Sequence, residues 1–307
     1  MLAIIFSHIG YFLSTDPRFL YPFSVLAGVG VNLFLFLSGF GLTLSELKTG
    51  LSVSGFYKKR LIKLFLPLWL VIFLLVSFDL LILKRSYPVA TILQGLLGFA
   101  PVADIFKSLD SPLWYFTFIL FYYLTFPLFF WKKIPYLCPI LILLFSFFLL
   151  KLPLPIDKDV LNLYKLHWVS FPLGVLFALL VEKKNPAWKL SYLLNFKYFL
   201  ALTFVLVFGY TSIHSGVGED KLTEQATSLI TMFSLVLIST VKRIEVKFLY
   251  WFGVYSYEIY LIHWPILSRY DLLYKNLPAF LATLLYLGLF LILGYLLNKL
   301  TRKLLAV

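Results

Sequence analysis

Charged residues make up only 13% of this 307-residue chain, about half the share that is usual in soluble globular proteins. Cysteine occurs once, as Cys138 in an apolar run, which excludes a disulfide framework and any cysteine-based metal site. No other metal site is predicted. Acidic residues number 14 against 27 basic ones, a formal net charge of +13. These charges fall between apolar runs, where membrane topology explains them, so no nucleic-acid partner is predicted.

The chain also lacks internal repeats, low-complexity linkers and an appended soluble domain, and we therefore predict a single domain over residues 1–307. The longest connection between apolar runs covers residues 84–111. It contains a moderately apolar stretch, 89–103, which we interpret as an interfacial or re-entrant helix over the outer mouth of the protein.

Hydrophobic residues make up 61% of the chain, and long apolar runs recur along its whole length. Such runs are typical of membrane-spanning helices. The sequence therefore predicts an all-α, polytopic membrane protein embedded in the lipid bilayer, with about ten transmembrane helices. The ten predicted segments are 1–13, 27–44, 61–83, 112–131, 135–150, 163–181, 197–213, 225–241, 249–268 and 278–298.

The distribution of basic residues predicts the orientation of these segments. If the N-terminus is cytoplasmic, most of the 27 Lys and Arg residues fall in cytoplasmic loops and in the C-terminal tail. Dense basic groups in short loops are the form of charge bias that sets topology. We therefore expect a multi-pass protein of the plasma or inner membrane with both termini in the cytoplasm.

His8 lies inside the first apolar run. An imidazole within the bilayer is costly unless it faces the interior of a helix bundle or a water-filled cavity. With an ordinary pKa of about 6.5, histidine is suited to act as a general base on a hydroxyl group at neutral pH. The alternative is a structural histidine, hydrogen-bonded within the bundle with the help of Ser7.

Four motifs follow one another in a recognisable order: His8, the stretch 30–40 (GVNLFLFLSGF), the basic stretch 58–63 (KKRLIK) with Pro67 after it, and the stretch 256–263 (SYEIYLIH). This ordered set resembles the acyltransferase 3 family of integral-membrane acyltransferases, over nearly the full chain. The resemblance implies transfer of an acyl group, commonly from a coenzyme A thioester, to a hydroxyl group of a carbohydrate or similar acceptor.

The resemblance makes His8 the catalytic base and assigns donor binding to a basic-x-x-basic motif, here Arg60 and Lys63 followed by Pro67. Lys63 stands where the family usually has a second Arg, which keeps the charge but loses bidentate phosphate geometry. Lys59 lies at helical neighbour spacing from Lys63. Coenzyme A is polyanionic, so we expect its phosphates to bind these three residues. The alternative is that the cluster only sets topology.

The stretch 30–40 is expected to form a wall of the active-site cavity, with Asn32, Phe34 and Ser38 as its candidate residues. The family often has an acid at the position of Asn32, and no charge role is available here. Asn32 and Ser38 lie about 120° apart on a helical wheel, too far round for one tight constellation. The glycines of this stretch are explained equally well as small residues that allow close helix packing in lipid.

Ser256, Tyr257, Glu258 and His263 are expected to shape the cavity from the far end of the chain. A carboxylate within an apolar segment needs a partner, and Glu258 should therefore have one. Ser256, Tyr260 and His263 share a helical face, whereas Glu258 and His263 face different ways, so we predict no pairing between these two.

Trp114 and Tyr115 match the family's entry into a middle helix and are also candidates for the cavity. An aromatic anchor at the membrane interface would explain them as well. His167 and His214 are interpreted as outer-edge or loop residues with little functional weight.

The first segment is short, because thirteen helical residues reach about 20 Å against a hydrocarbon core of about 30 Å. The family usually carries an Arg eleven positions before its first-helix His. Eleven positions before His8 lies upstream of Met1, and we expect an in-frame extension there that restores both the span and the basic residue.

The predicted activity is therefore transfer of an acyl group, acetyl in the simplest case, from cytosolic acyl-CoA to a glycan or lipid-linked sugar. No tightly bound cofactor is expected. No Ser-His-Asp or Cys-His set suggests a covalent acyl-enzyme, although the sequence does not exclude one. A polysaccharide exporter or flippase is the main alternative, but the paired repeats and the broken helices in both halves that are typical of transporters are not predicted. A non-catalytic membrane partner is a further alternative if the family Arg is absent.

Overall fold

The computed structural model describes residues 1–12, 26–50, 52–103, 109, 112–182, 203, 221–241 and 247–305. Within these residues every regular element is a helix, which confirms the all-α prediction. The helices are α1 (Leu2–Phe12), α2 (Leu26–Thr49), α3 (Val53–Leu81), α4 (Val89–Leu96), α5 (Leu113–Phe129), α6 (Leu137–Leu149), α7 (Lys158–His167), α8 (Ser170–Glu182), α9 (Lys221–Val241), α10 (Lys247–Val254), α11 (Ser256–Arg269) and α12 (Ala279–Leu305).

Several of these helices are long and apolar enough to cross a membrane. By length and composition they are Ala27–Thr49, Val53–Leu81, Lys158–Glu182 and Ala279–Leu305. The apolar helices α5 and α6 are shorter, at 17 and 13 residues. The total of about ten spans stays a prediction, and the predicted segment 197–213 lies outside the described residues except for residue 203.

Large apolar side chains cover much of the surface of the longest helices. On α3, Phe73 is 71% exposed, and on α12 Phe280 is 63% exposed. An aqueous surface rarely carries such dense apolar cover, whereas the hydrocarbon core of a bilayer accommodates it. These faces are therefore suited to contact with lipid.

Helices α2 and α8 make the closest backbone contact in the described bundle. A Cβ atom placed on Gly174 would lie 2.0 Å from the carbonyl oxygen of Phe36, and one on Gly39 would lie 2.3 Å from that of Phe171. Only glycine allows two backbones to approach this closely. The packing interpretation of the glycines in 30–40 therefore holds at Gly39. By contrast, the Cβ position of Gly41, just beyond this stretch, is open space within 4 Å.

Two of the predicted segments contain an interruption. The segment 249–268 consists of α10 and α11, which are separated at Tyr255. Gly253 and Val254 precede the break, and both are weak helix formers. The segment 163–181 lies within the helical stretch Lys158–Glu182, in which a two-residue turn at 168–169 separates α7 from α8. The expectation of an unbroken helix was therefore wrong at 249–268. Both interruptions lie in the second half of the chain, so the described residues do not show the broken helices in both halves that are typical of transporters. The predicted helix over 89–103 is also shorter, since α4 ends at Leu96.

Helices α3 and α11 run in the same direction and are joined near both ends of α11. At the first turn of α11, the hydroxyl of Tyr257 donates a hydrogen bond to the carbonyl of Leu64, about three turns into α3, at 2.6 Å. Near their last turns, Arg269 forms an ion pair with the fully buried Asp79 at 2.5 Å. The two contacts hold α11 against α3 along most of its length.

Asp79 is the centre of a larger polar cluster. Besides the ion pair, it accepts hydrogen bonds from the hydroxyls of Tyr87 and Tyr270. Arg269 also donates to the carbonyl of Leu109. Asp79 is the acid inside the predicted segment 61–83, and its place in an apolar run was the signal that could have identified this cluster. By helical rise it lies about 28 Å from Arg60 along α3, roughly the thickness of the hydrocarbon core.

The contact between α2 and α8 leads to a test with a matched control on one helix. We expect Gly39→Ala to lower the free energy of unfolding by about 1–3 kcal/mol, because the added methyl group meets backbone atoms that cannot rotate away. Gly41→Ala should be neutral or slightly stabilising, because alanine favours helix and the position is open. Thermal unfolding of both purified variants in detergent measures the difference, and equal melting temperatures would contradict the close contact.

Candidate active site

Two adjoining cavities lie between α2, α3, α5 and α11, near the basic end of α3. Their volumes are about 480 Å³ and about 270 Å³, and we name them the large lobe and the small lobe. The residues that line both lobes are Phe34, Ser38, Arg60, Tyr123 and Ser256. Because they share these walls, the two lobes form one candidate site.

The walls of the lobes differ in chemistry. The large lobe is bounded by α1 and by the glycine-rich face of α2, and its further lining is mostly apolar, including Leu33, Leu37 and Leu42. The small lobe carries the phenol rings of Tyr115, Tyr257 and Tyr260 together with Lys63. The combined site therefore joins an apolar compartment to one rich in hydroxyl groups and positive charge.

Arg60 supplies positive charge to both lobes. Its Nε atom is buried and has no hydrogen-bond partner in the part of the chain that the structure describes. Nor does any carboxylate in those residues form an ion pair with it. Lys63 adds a second charge to the small lobe, whereas Lys59 is exposed and lines neither lobe. A guanidinium without a counter-charge at a cavity wall is a ready site for an anionic group.

His8 and His263 form a hydrogen bond that the sequence analysis did not predict. His8 Nδ1 and His263 Nε2 lie 2.7 Å apart, and the two rings are nearly parallel. Trp264 packs against His8 with the ring centres 4.8 Å apart. The histidines are 255 residues apart in sequence. Their shared chemistry, an imidazole within each of two apolar segments, was the only signal that could have linked them.

The histidine pair lies beyond the lobes, further along the bundle. Neither ring lines a lobe, whereas Ser256 of α11 and Ala3 of α1 line the large one. His263 is two helical turns past Ser256, about 10 Å along the α11 axis. His8 is likewise further along α1 than Ala3. The candidate base and the basic cluster are therefore separated along the axis of the bundle.

Asn32 is fully buried and lines neither lobe, which corrects its assignment to the cavity wall. Its amide nitrogen donates to the hydroxyl of Ser228 at 2.8 Å. Its amide oxygen accepts hydrogen bonds from Ser170 at 2.7 Å and from Nδ1 of His167 at 2.9 Å. Asn32 faces away from the lobes because four helices, α2, α7, α8 and α9, meet at this polar cluster.

His167 is buried in this cluster near the end of α7 and is not an exposed loop residue. His167 is the last residue of α7, and this end of the helix is covered by α2. Trp114 stacks on its ring with the ring centres 6.1 Å apart, so Trp114 also supports the cluster instead of lining a lobe. Its neighbour Tyr115 does line the small lobe. His214 lies outside the described residues.

Glu258 is buried and has the partner that its position requires. Its carboxylate accepts a hydrogen bond from the side-chain amide of Asn298 at 2.6 Å, which ties α11 to α12. His263 is engaged elsewhere, in agreement with the expectation that it does not pair with Glu258. Glu258 lines neither lobe, and its observed contact is structural.

Taken together, these features define a helical membrane protein with a basic, two-lobed cavity and a buried histidine pair. Comparison with protein families gives the more specific result, since the family described as "Acyltransferase domain" matches residues 1–299. The chain therefore belongs to the acyltransferase 3 family, as the order of its motifs indicated. Neither the curated proteins nor the solved structures gave a match.

The role of Asn32 leads to a prediction that separates stability from activity. Asn32→Leu removes the acceptor for Ser170 and His167, and each buried group left unsatisfied should cost about 1–3 kcal/mol. Turnover per folded molecule should remain close to that of the wild type, because Asn32 lines neither lobe. Thermal unfolding and acyl transfer are measured on the same preparation.

Thr49→Ala is the control on the same helix, because its exposed hydroxyl bonds back to the carbonyl of Ser45. We expect little change in its melting temperature. A fall in turnover for Asn32→Leu at unchanged stability would indicate that Asn32 contributes to the active site after all.

Proposed function

We propose that this membrane acyltransferase moves an acyl group from cytosolic acyl-CoA to a hydroxyl group of a carbohydrate or cell-envelope glycan. The acceptor oxygen attacks the thioester carbonyl carbon, the C–O bond forms and the C–S bond breaks. His8 takes the hydroxyl proton through Nε2, and the coenzyme A sulfur leaves as a thiolate that is protonated in turn. In the simplest case the acyl group is acetyl.

The observation that carries this proposal is Arg60, which lines both lobes without a counter-charge among the described residues. Coenzyme A brings several phosphate charges, and a guanidinium binds phosphate through charge-assisted hydrogen bonds. Lys63 stands one turn further along α3 and adds a second point charge. Family membership supplies the acyl-transfer chemistry, and the unpaired charge favours a polyanionic donor.

The separation between Arg60 and the histidine pair also fits this donor. In an acyl-CoA the thioester is held away from the phosphates by the long pantetheine arm. A donor bound by its phosphates at the lobes could extend this arm along α11 toward His8, about 10 Å beyond Ser256. In this arrangement the basic end of α3 faces the cytosol, in keeping with a multi-pass protein of the cell membrane whose termini are both cytoplasmic.

Two alternatives give different results in the same experiments. A polysaccharide exporter or flippase would use the cavity for transport and would form no acylated product. A non-catalytic membrane partner would form none either and would bind no donor. Membership of an acyltransferase family argues against the transporter, and the interrupted helices do not favour it because they lie in one half of the chain only.

Donor binding is tested with two adjacent basic residues. Arg60→Ala should raise the KM for acyl-CoA by roughly tenfold or more, as expected for loss of a hydrogen bond between charged groups. Lys59→Ala removes a charge of the same sign from the neighbouring position on α3, but Lys59 lines neither lobe, so the KM of this variant should be unchanged. Equal effects of the two variants at low ionic strength would mean that the cluster acts only through its total charge.

The role of the base is tested with His8→Ala in membranes or nanodiscs. If His8 is the general base, kcat should fall by roughly 10²–10⁴-fold, with little change in the KM for the donor. Protein level is measured by immunoblot, so that loss of protein is separated from loss of turnover. Wild-type turnover would make His8 a structural histidine, and export of an unmodified glycan would favour the transporter.

A further inference from the structure

His263 is held between its own helix and His8. Its ring is fully buried. Nδ1 lies 2.9 Å from the carbonyl oxygen of Tyr260 and 3.1 Å from that of Ile259. On the other side of the ring, Nε2 lies 2.7 Å from Nδ1 of His8. Both nitrogens of His263 are therefore committed to defined partners.

These contacts determine where the protons lie. A carbonyl oxygen can only accept a hydrogen bond, so Nδ1 of His263 must carry a hydrogen. In a neutral ring Nε2 then holds a lone pair and accepts a hydrogen bond from Nδ1 of His8. Since His8 now carries its hydrogen on Nδ1, its own Nε2 atom holds the lone pair.

The neutral state of His263 follows from its surroundings. A charged imidazole in a buried, membrane-embedded position needs a carboxylate partner. Among the described residues none forms an ion pair with this ring, and the nearest acid on α11, Glu258, bonds to Asn298. The hydroxyl of Tyr260 is also engaged, since it donates to the carbonyl of Pro112.

We propose that His263 is a positioning residue that fixes His8 in the tautomer with a free lone pair on Nε2. The inference rests on the proposed function, in which this lone pair takes the acceptor proton. When His8 becomes positively charged, its Nδ1–H continues to donate to His263, which in turn donates to the two carbonyls. The chain of hydrogen bonds thus stabilises the charged base without a carboxylate.

The hydrogen-bonding role must be distinguished from a role in packing. His263 contacts the ring of Phe290 at 6.3 Å between centres, so the side chain also fills space in the bundle. Leucine at position 263 would fill much of this space but would accept no hydrogen bond. Glutamine would offer a carbonyl oxygen as an acceptor for His8. A packing role predicts similar effects of the two variants, whereas a positioning role predicts different ones.

The kinetic test compares these variants in nanodiscs with the full chain. His263→Leu should lower kcat by about 10–100-fold, the usual effect of losing an orienting partner, with the KM for acyl-CoA unchanged. His263→Gln should recover most of the loss. Trp264→Phe is the control, because it keeps an aromatic ring against His8 and changes no hydrogen bond of either imidazole. Equal loss in the Leu and Gln variants would overturn the proposal.

A second readout does not depend on activity. The chain has only 4 histidines, so ¹⁵N spectra of the histidine-labelled wild-type protein can be assigned with single variants. We expect neutral His8 to carry its hydrogen on Nδ1 and to have an unprotonated Nε2. The opposite tautomer would overturn the proposal, even if His263→Leu failed to fold.

The two readouts also separate this proposal from the proposed function. If His8→Ala retains wild-type turnover while the spectra show the expected tautomer, the hydrogen-bond chain exists but His8 is not the base. If His8→Ala is inactive and the spectra show a hydrogen on Nε2, His8 remains the candidate base and the role of His263 is wrong.

Discussion

Within a bilayer no water is available to replace a missing hydrogen bond, and this constraint organises the whole bundle. Asn32 joins four helices because each of its amide atoms needs a partner. Asp79 brings together α3, α11 and two loops for the same reason, and Glu258 fixes α12. Against this background Arg60 differs, since its charge faces a cavity and has no counter-charge among the described residues. The proposed donor phosphates would supply the missing counter-charge.

The sequence was most informative where function depends on local spacing. Arg60 and Lys63 are one helical turn apart, so they had to lie on the same face of α3, and both line the small lobe. Ser256 and Tyr257 begin α11 and also line it. Motif order and helical periodicity were sufficient here, because each pair belongs to a single element whose exposed face the pattern predicts.

The sequence was least informative where side chains from distant segments meet. Nothing in the spacing of His8 and His263 indicates that their rings touch, because the contact depends on how α1 packs against α11. Asn32 was placed on the cavity wall for a similar reason, since a helical wheel gives a direction but not the neighbour found there. The sequence did not predict the break at Tyr255, because α10 and α11 are both apolar and together match one span in length.

Because α11 is attached to α3 near both of its own ends, the distance between the lobes and His263 is fixed. Tyr257 and Arg269 make the two attachments, and the helical rise sets the interval between the lobes and His263. If the donor binds as proposed, this interval selects for molecules whose anionic and acyl ends are equally far apart. In a small acyl phosphate the two ends are adjacent, so it could reach either the lobes or the histidine pair, but never both. The fold would then discriminate among acyl donors by length before any contact with the acyl group itself.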